Sequence, residues 1–365
     1  MQKTGQTSTI LYEAATVTTV DLVRALADLD GPADEAGVWP EALWGALRAG
    51  GAAGWALPEA LGGPGADRPG LLARYAAVAE GSLTAAFILT QRDAAVRRLA
   101  AAGDRGRAAD WLAAVAAEGV FPTVGISQLT TSRRHGAHAL LAAPEGDGYR
   151  LDGAMPWVTA APRADLFVAG AALPDGRQLL VALPKGREGL AVAPPMSLAA
   201  LQASCTGEVA CRAVRVEPED VLAGPAEDVL AAPGASGTGG LETSALALGQ
   251  ARAALVALRG LAESRPDLAE VADALDAEWA RLWADLSAAA EGLPDAPGPG
   301  ATRAGANAHV LRATQAYLTA RKGSGFLRDD PAQRWARQAL FFLVWSCPAP
   351  VAQASLRELA GICSF

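Results

Sequence analysis

The hydrophobic period changes twice along this chain, and the two changes limit the folds open to it. From Val20 to about Glu118 apolar residues recur at spacings of three and four, as in VDLVRALADL, GLLARYAAVAEG and TAAFILTQRDAAVRRLAAAG. That is the repeat of helices that bury one face. Gly50, Gly103 and Gly119 sit where these helices should stop, because glycine accepts left-handed backbone angles. After Gly119 the period falls to two in short runs, FPTVGIS, HALLAAP, YRLDGAMPWVTAA, ADLFVAGAAL and QLLVALP, separated by the turn sequences EGDG, LPDGR and PKGREG. Beyond a Gly/Pro-rich connector, GPAEDVLAAPGASGTGG, the helical period returns in four long segments that end with DPAQRWARQALFFLVW. Elements segregated in this way argue against a doubly wound parallel sheet. They predict a mainly α protein with a central β domain. Its parts are an N-terminal helical domain over residues 1–119, an antiparallel β-sheet or barrel over 120–232, and a C-terminal four-helix bundle over 233–365.

Composition narrows the functional classes. At 365 residues the chain exceeds the size of a single core, and 51% of it is apolar, with alanine dominant, which favours close-packed helices. A net charge of −8 argues against a nucleic-acid partner, whose phosphates need clustered Lys and Arg. The four cysteines, Cys205, Cys211, Cys347 and Cys363, form no CxxC pair and read as reduced, buried thiols of a cytoplasmic protein. The N-terminus has no basic segment joined to an apolar core, and no run approaches the roughly 18–20 apolar residues of a membrane span. No membrane partner is expected. His135 and His138 would point to opposite faces of a strand, so no metal site is expected. The glycines of GASGTGG lack both the G-x-G-x-x-G spacing and a preceding strand, which argues against a dinucleotide loop.

One strand carries a chemical signature. Asp147-Gly148 turns a hairpin, Tyr149, Leu151 and Gly153 alternate, and continued alternation places Trp157 and Thr159 on one face. A broad aromatic and a hydroxyl side by side suit a flavin ring, which needs stacking surface and a hydrogen-bond donor near N5. Three segments in order, GWALPEALGGPGAD, GDGYRLDGAMPWVTAAPRADLFVAGA and KGSGFLRDDPAQRWARQALFFLVW, resemble the acyl-CoA dehydrogenase family of flavoproteins over nearly the whole chain. The resemblance implies a homodimer or homotetramer that holds FAD between the β domain and the bundle and acts on an acyl thioester or a related small molecule. It assigns Trp157 and Thr159 to the flavin. It also aligns VGISQLTTSRRHGAH with the strand that meets the flavin pyrimidine edge, giving that role to Ile126 and Ser127. The family's Gly-Ser-Asp turn is here Ser132-Arg133-Arg134, either an anion-binding pair or a solvated turn.

The same alignment exposes losses. The family's catalytic base is a Glu that follows an aromatic near the end of the last signature helix, and here Glu-Gly-Thr reads Ser346-Cys347-Pro348. A serine hydroxyl has no useful basicity near neutral pH without a partner. Glu242 offers a substitute base, or caps its helix in the first turn. Cys347 offers a nucleophile, though no His is near it in sequence. The Arg-x-x-Phe-Gly motif is missing, and Gln-x-x-Gly-Gly has become Thr319-Ala320-Arg321-Lys322-Gly323. Three readings follow: a divergent FAD-dependent oxidoreductase of the dehydrogenase type, a reduced-flavin-dependent monooxygenase of the same fold, and an inactive scaffold.

Overall fold

The computed structural model describes residues 17–130, 133–134, 137–231, 240–345 and 347–362. Among these residues five helices come first: α1 Val17–Ala36, α2 Glu41–Ala49, α3 Arg68–Gly81, α4 Leu83–Ala102 and α5 Ala108–Ala116. Local chemistry starts two of them. The Asp67 carboxylate accepts the Gly70 N–H at the head of α3, and Ser82 Oγ accepts the Ala85 N–H at the head of α4. Gly103 ends α4 at φ +59°, as its sequence position suggested, but at the two other expected stops the left-handed residues are the neighbours Gly51 and Glu118. Helix α4 is buried almost all round because it lies between the layers, with the sheet on one side and α3 and the bundle on the other.

Ten strands follow among the described residues: β1 Pro122–Gly125, β2 Arg133–Arg134, β3 Ala137–His138, β4 Leu140–Glu145, β5 Gly148–Val158, β6 Leu166–Ala172, β7 Gln178–Pro184, β8 Leu190–Val192, β9 Gly207–Val216 and β10 Val221–Ala226. The large sheet runs β10-β7-β6-β4-β5-β9-β8, with β1 also on β6. Its hairpin neighbours are antiparallel, as the short turns require, but β1 and β4 both meet β6 in parallel, so the sheet is mixed. Strand β6 is buried along its full length, the pattern of a strand covered on both faces.

Six helices come last among the described residues: α6 Leu241–Ala262, α7 Ala269–Glu291, α8 Pro299–Arg321, α9 Pro331–Ala339, α10 Phe341–Val344 and α11 Ala349–Leu359. The single helix expected over 330–345 is split. At the break the Leu340 N–H bonds back to the Arg337 carbonyl at 3.2 Å, a turn tighter than the α-helix. Among the described residues helix α6 alone is long and apolar enough to cross a membrane, but 67% of that window is buried inside the protein, which makes it the core helix of the bundle. At Gly249 its backbone nears α3 so closely that a Cβ would lie 2.1 Å from the Ala76 carbonyl oxygen. The two ends of the chain are pinned together where Asp30 accepts from Ser82 Oγ at 2.6 Å and from Arg334 Nε at 2.8 Å, all buried.

Candidate functional site

Strand β1 delivers the chain to Ile126, which is buried, and then to a 3-10 turn over Ser127–Leu129. Gln128 closes this turn by donating through Nε2 to the carbonyls of Gly125 and Gly170, each at 2.7 Å. The turn packs against β5. A Cβ on Gly125 would stand 2.3 Å from Met155 Sδ, so only glycine lets β1 come this near to β5. Ser127 Oγ is buried and makes no hydrogen bond among the described residues. A desolvated hydroxyl without a partner costs about 1–3 kcal/mol, and native proteins keep few of them.

The end of β5 lies beside this turn. The Thr159 carbonyl accepts from Thr123 Oγ1 of β1 at 2.9 Å, and Thr159 Oγ1 accepts from Thr206 Oγ1 at 3.4 Å, with Ser204 Oγ 2.9 Å from Thr206. Thr159 is 1% exposed and Trp157 is 40% exposed. The alternation that placed them on one face therefore does not survive as equal exposure. Two register shifts against β9, one after Leu151 and one after Met155, interrupt the period of two, and Thr159 lies just past the last strand residue. Of the four residues expected at the flavin, Ile126 and Ser127 lie at the turn that packs against β5, Trp157 lies on β5, and Thr159 follows it at the corner where its carbonyl meets Thr123 of β1.

Helix α4 packs on β1 and reaches from this corner to the C-terminal turn. There Phe87 meets Phe341 and Trp345 with ring centroids 4.9 and 4.6 Å away, and Phe341 stacks on Trp345 at 5.4 Å. The turn hangs from α8: Arg303 Nη2 donates to the Trp345 carbonyl at 3.0 Å, and Asn307 Nδ2 to the Phe342 carbonyl at 2.8 Å. Ser346 lies outside the described residues, as do Ser132, His135 and the side chains of Arg133, Arg134 and His138. Cys347 is half-buried, and burial pushes its thiol up against the opposing pull of Arg303.

Glu242 stands in the first turn of α6, 3.5 Å from Arg97. Arg97 Nη1 donates to Tyr75 Oη at 3.0 Å, Tyr75 donates to Asp93 Oδ2 at 2.8 Å, and Arg92 Nη1 donates to Asp93 Oδ1 at 2.8 Å. Burial holds the Asp93 carboxyl above its ordinary value and the Tyr75 hydroxyl well above its own. Glu242 is thus the outer member of a buried charge network. Sequence reasoning missed this network and the Arg303–Asn307 hook. A signal for the first was present in TQRDAAVRRLA, an arginine-rich stretch within an otherwise apolar helix.

The layer order, the mixed sheet and the C-terminal bundle define the class: this is the acyl-CoA dehydrogenase fold. No known family profile matches the chain. Among solved structures, the glutaryl-coenzyme A dehydrogenase glutaryl-CoA complex superposes with a TM-score of 0.79 at 17% identity, over 100% of this chain and 97% of that one. The electron transferring flavoprotein of Acidaminococcus fermentans gives 0.81 at 18%, covering 98% and 99%. FMN-bound TdsC from Paenibacillus sp. A11-2, a dibenzothiophene monooxygenase, gives 0.78 at 18%, covering 94% and 95%. At these identities the likeness is one of fold.

Proposed function

We propose that this protein is a flavin-dependent oxidoreductase that holds its flavin, FAD by resemblance, where β1, the Ser127 turn and the end of β5 meet. The observation that carries this reading is the buried Ser127 hydroxyl without a hydrogen-bond partner. A donor fixed at that spot is what the electron-accepting edge of a flavin requires, and a bound ring would satisfy an otherwise costly group. Trp157 adds an exposed aromatic surface for stacking, and the Thr159 hydroxyl adds a polar group already oriented by Thr206. A bound flavin supplies two-electron oxidation and oxygen chemistry.

The residues of the chain favour chemistry that needs no carboxylate base. Position 346 is serine, and the substitute, Glu242, is held by Arg97. Reduced-flavin-dependent monooxygenation of a small molecule fits these facts better than removal of an α-proton from an acyl thioester. TdsC, of the same fold, is a dibenzothiophene monooxygenase. The dehydrogenase reading remains the second. Exposed Val344, Leu356, Leu359 and Ile362 near the C-terminus support self-association as a dimer or tetramer. The free thiols of Cys205, Cys211 and Cys347 suit a reducing cytoplasm.

Reconstitution of the purified protein with FAD, and separately with FMN, tests the reading through the visible spectrum. Flavin absorbance that stays with the protein through gel filtration is the expected result. Oxygen uptake with reduced flavin and no acyl-CoA then supports monooxygenation, whereas anaerobic bleaching by an acyl-CoA supports dehydrogenation. A protein that stays colourless with both flavins refutes the proposal and leaves the scaffold.

A further inference from the structure

Arg337, on α9, has every nitrogen of its guanidinium engaged. Nε donates to Gln333 Oε1 at 2.9 Å, Nη2 to Asp34 Oδ2 at 2.6 Å, and Nη1 to the Ala199 carbonyl at 3.0 Å. The first bond lies within α9 and the second joins α9 to α1. The third reaches into the loop between β8 and β9.

That loop is braced to hold one shape. The Leu198 N–H donates to Gln202 Oε1 at 2.7 Å, and Gln202 Nε2 donates to the Met196 carbonyl at 2.9 Å. The Met196 N–H donates to the Thr206 carbonyl at 2.9 Å, and the Ala160 N–H to the Ser204 carbonyl at 2.9 Å, which ties the loop to the chain just past β5. Among the described residues six non-glycine residues have positive φ, and three of them, Ala160, Leu201 and Cys205, lie here. A side chain is strained in that region, so such residues persist only where the surroundings hold them.

The loop also carries a row of buried hydroxyls that ends at Thr159. Ser204 Oγ lies 2.9 Å from Thr206 Oγ1, and Thr206 Oγ1 donates to Thr159 Oγ1 at 3.4 Å. A hydroxyl has one proton to give. Thr206 gives its proton to Thr159, so Ser204 is the donor in the other contact and the row runs one way. The Thr159 proton comes last, and it has no acceptor among the described residues. At 3.4 Å the final bond is long for two hydroxyls, so a small displacement of the loop is enough to break it.

We propose that Arg337 is a positioning residue for the flavin: it holds the 196–206 loop from the bundle, and through Ser204 and Thr206 that loop sets the Thr159 hydroxyl as a donor toward the ring. This rests on the flavin site proposed above and adds a requirement to it, the docking of α9 on the loop. The contact with Asp34 has no part in that task, so the two ends of one guanidinium separate holding a loop from joining two helices.

The test is the dissociation constant of FAD, read by quenching of flavin fluorescence, together with urea midpoints of the flavin-free proteins. Arg337→Met is expected to raise Kd about fivefold, roughly the worth of one hydrogen bond. Asp34→Ala, which removes the helix contact and leaves the Ala199 bond, is expected to lower the urea midpoint and keep Kd within about twofold of wild type. In a Thr159→Val background, Arg337→Met should change Kd by less than about twofold, because no hydroxyl remains to be set. Arg337→Gln carries the same comparisons if the methionine variant does not fold. An unchanged Kd in Arg337→Met overturns the proposal, as does an equal rise in the Thr159→Val background or an equal rise in Asp34→Ala, and in each case the flavin site still stands. A wild-type protein that takes up no flavin removes both.

Discussion

Ser127→Ala is expected to make the flavin-free protein more stable and the flavin complex weaker. The substitution removes one oxygen that is buried and bonded to nothing. The backbone role of the residue is untouched, because the Thr130 N–H and Thr130 Oγ1 both bond to the Ser127 carbonyl, at 3.1 and 3.2 Å. Relief of an unsatisfied buried hydroxyl returns about 1–3 kcal/mol, from which the loss of its packing subtracts a few tenths, leaving a gain of about 1 kcal/mol or more. In a chain of this size that gain corresponds to a rise in melting temperature of about 1–3 °C. With flavin present the same atom acts in the other direction. Loss of one hydrogen bond to the ring weakens binding by about 1 kcal/mol, roughly a fivefold rise in Kd. The two effects are read separately, by thermal melts without flavin and by quenching of flavin fluorescence on titration. A variant less stable without flavin would mean that the hydroxyl already had a partner. Unchanged flavin affinity would remove Ser127 from the cofactor site and with it the observation on which the functional proposal rests.

Four further expectations concern charge. Glu242→Gln should cost about 1–2 kcal/mol in urea denaturation through loss of the Arg97 pair, with turnover within twofold of wild type; a large fall in turnover at full flavin occupancy would reinstate Glu242 as a base. Ser346→Glu, in protein that holds flavin, is expected to confer anaerobic bleaching by a short-chain acyl-CoA, and no bleaching at full occupancy would show that the pocket is not shaped for a thioester. Arg334→Met should destabilise by about 3–5 kcal/mol, because it leaves Asp30 buried without its cation, and a loss under 1 kcal/mol would contradict the burial argument. Burial is the first cause that raises the Asp30 carboxyl, above the opposing pull of Arg334. Its contribution to stability is therefore full below the ordinary carboxylate range and declines as pH rises through the raised native value. Asp30→Asn should flatten that slope in urea midpoints measured across the acid range.

What the sequence determined by itself was everything that short-range chemistry decides. The period of three to four, then two, then three to four set the helix–sheet–bundle order. Asp67 and Ser82 began their helices, and the EGDG sequence turned the hairpin between β4 and β5, one residue earlier than expected, at Gly146-Asp147, with Gly146 at φ +64° and Gly148 already in β5. Each is an interaction within a few residues, so the local pattern is enough. Tertiary structure alone decided the rest. It laid β1 and β4 parallel to β6, broke the last signature helix at Leu340, buried Thr159 while leaving Trp157 half exposed, and tied Glu242 into the network of Tyr75 and Asp93. Arg303 meets Trp345 across 42 residues and Asp30 meets Arg334 across 304. Whether a donor finds a partner, and whether a charge leaves water with or without its opposite, depends on elements far apart in the chain that meet only when it folds. No spacing rule carries that information, and it is these long-range meetings that separate a buried polar group with a partner from one without.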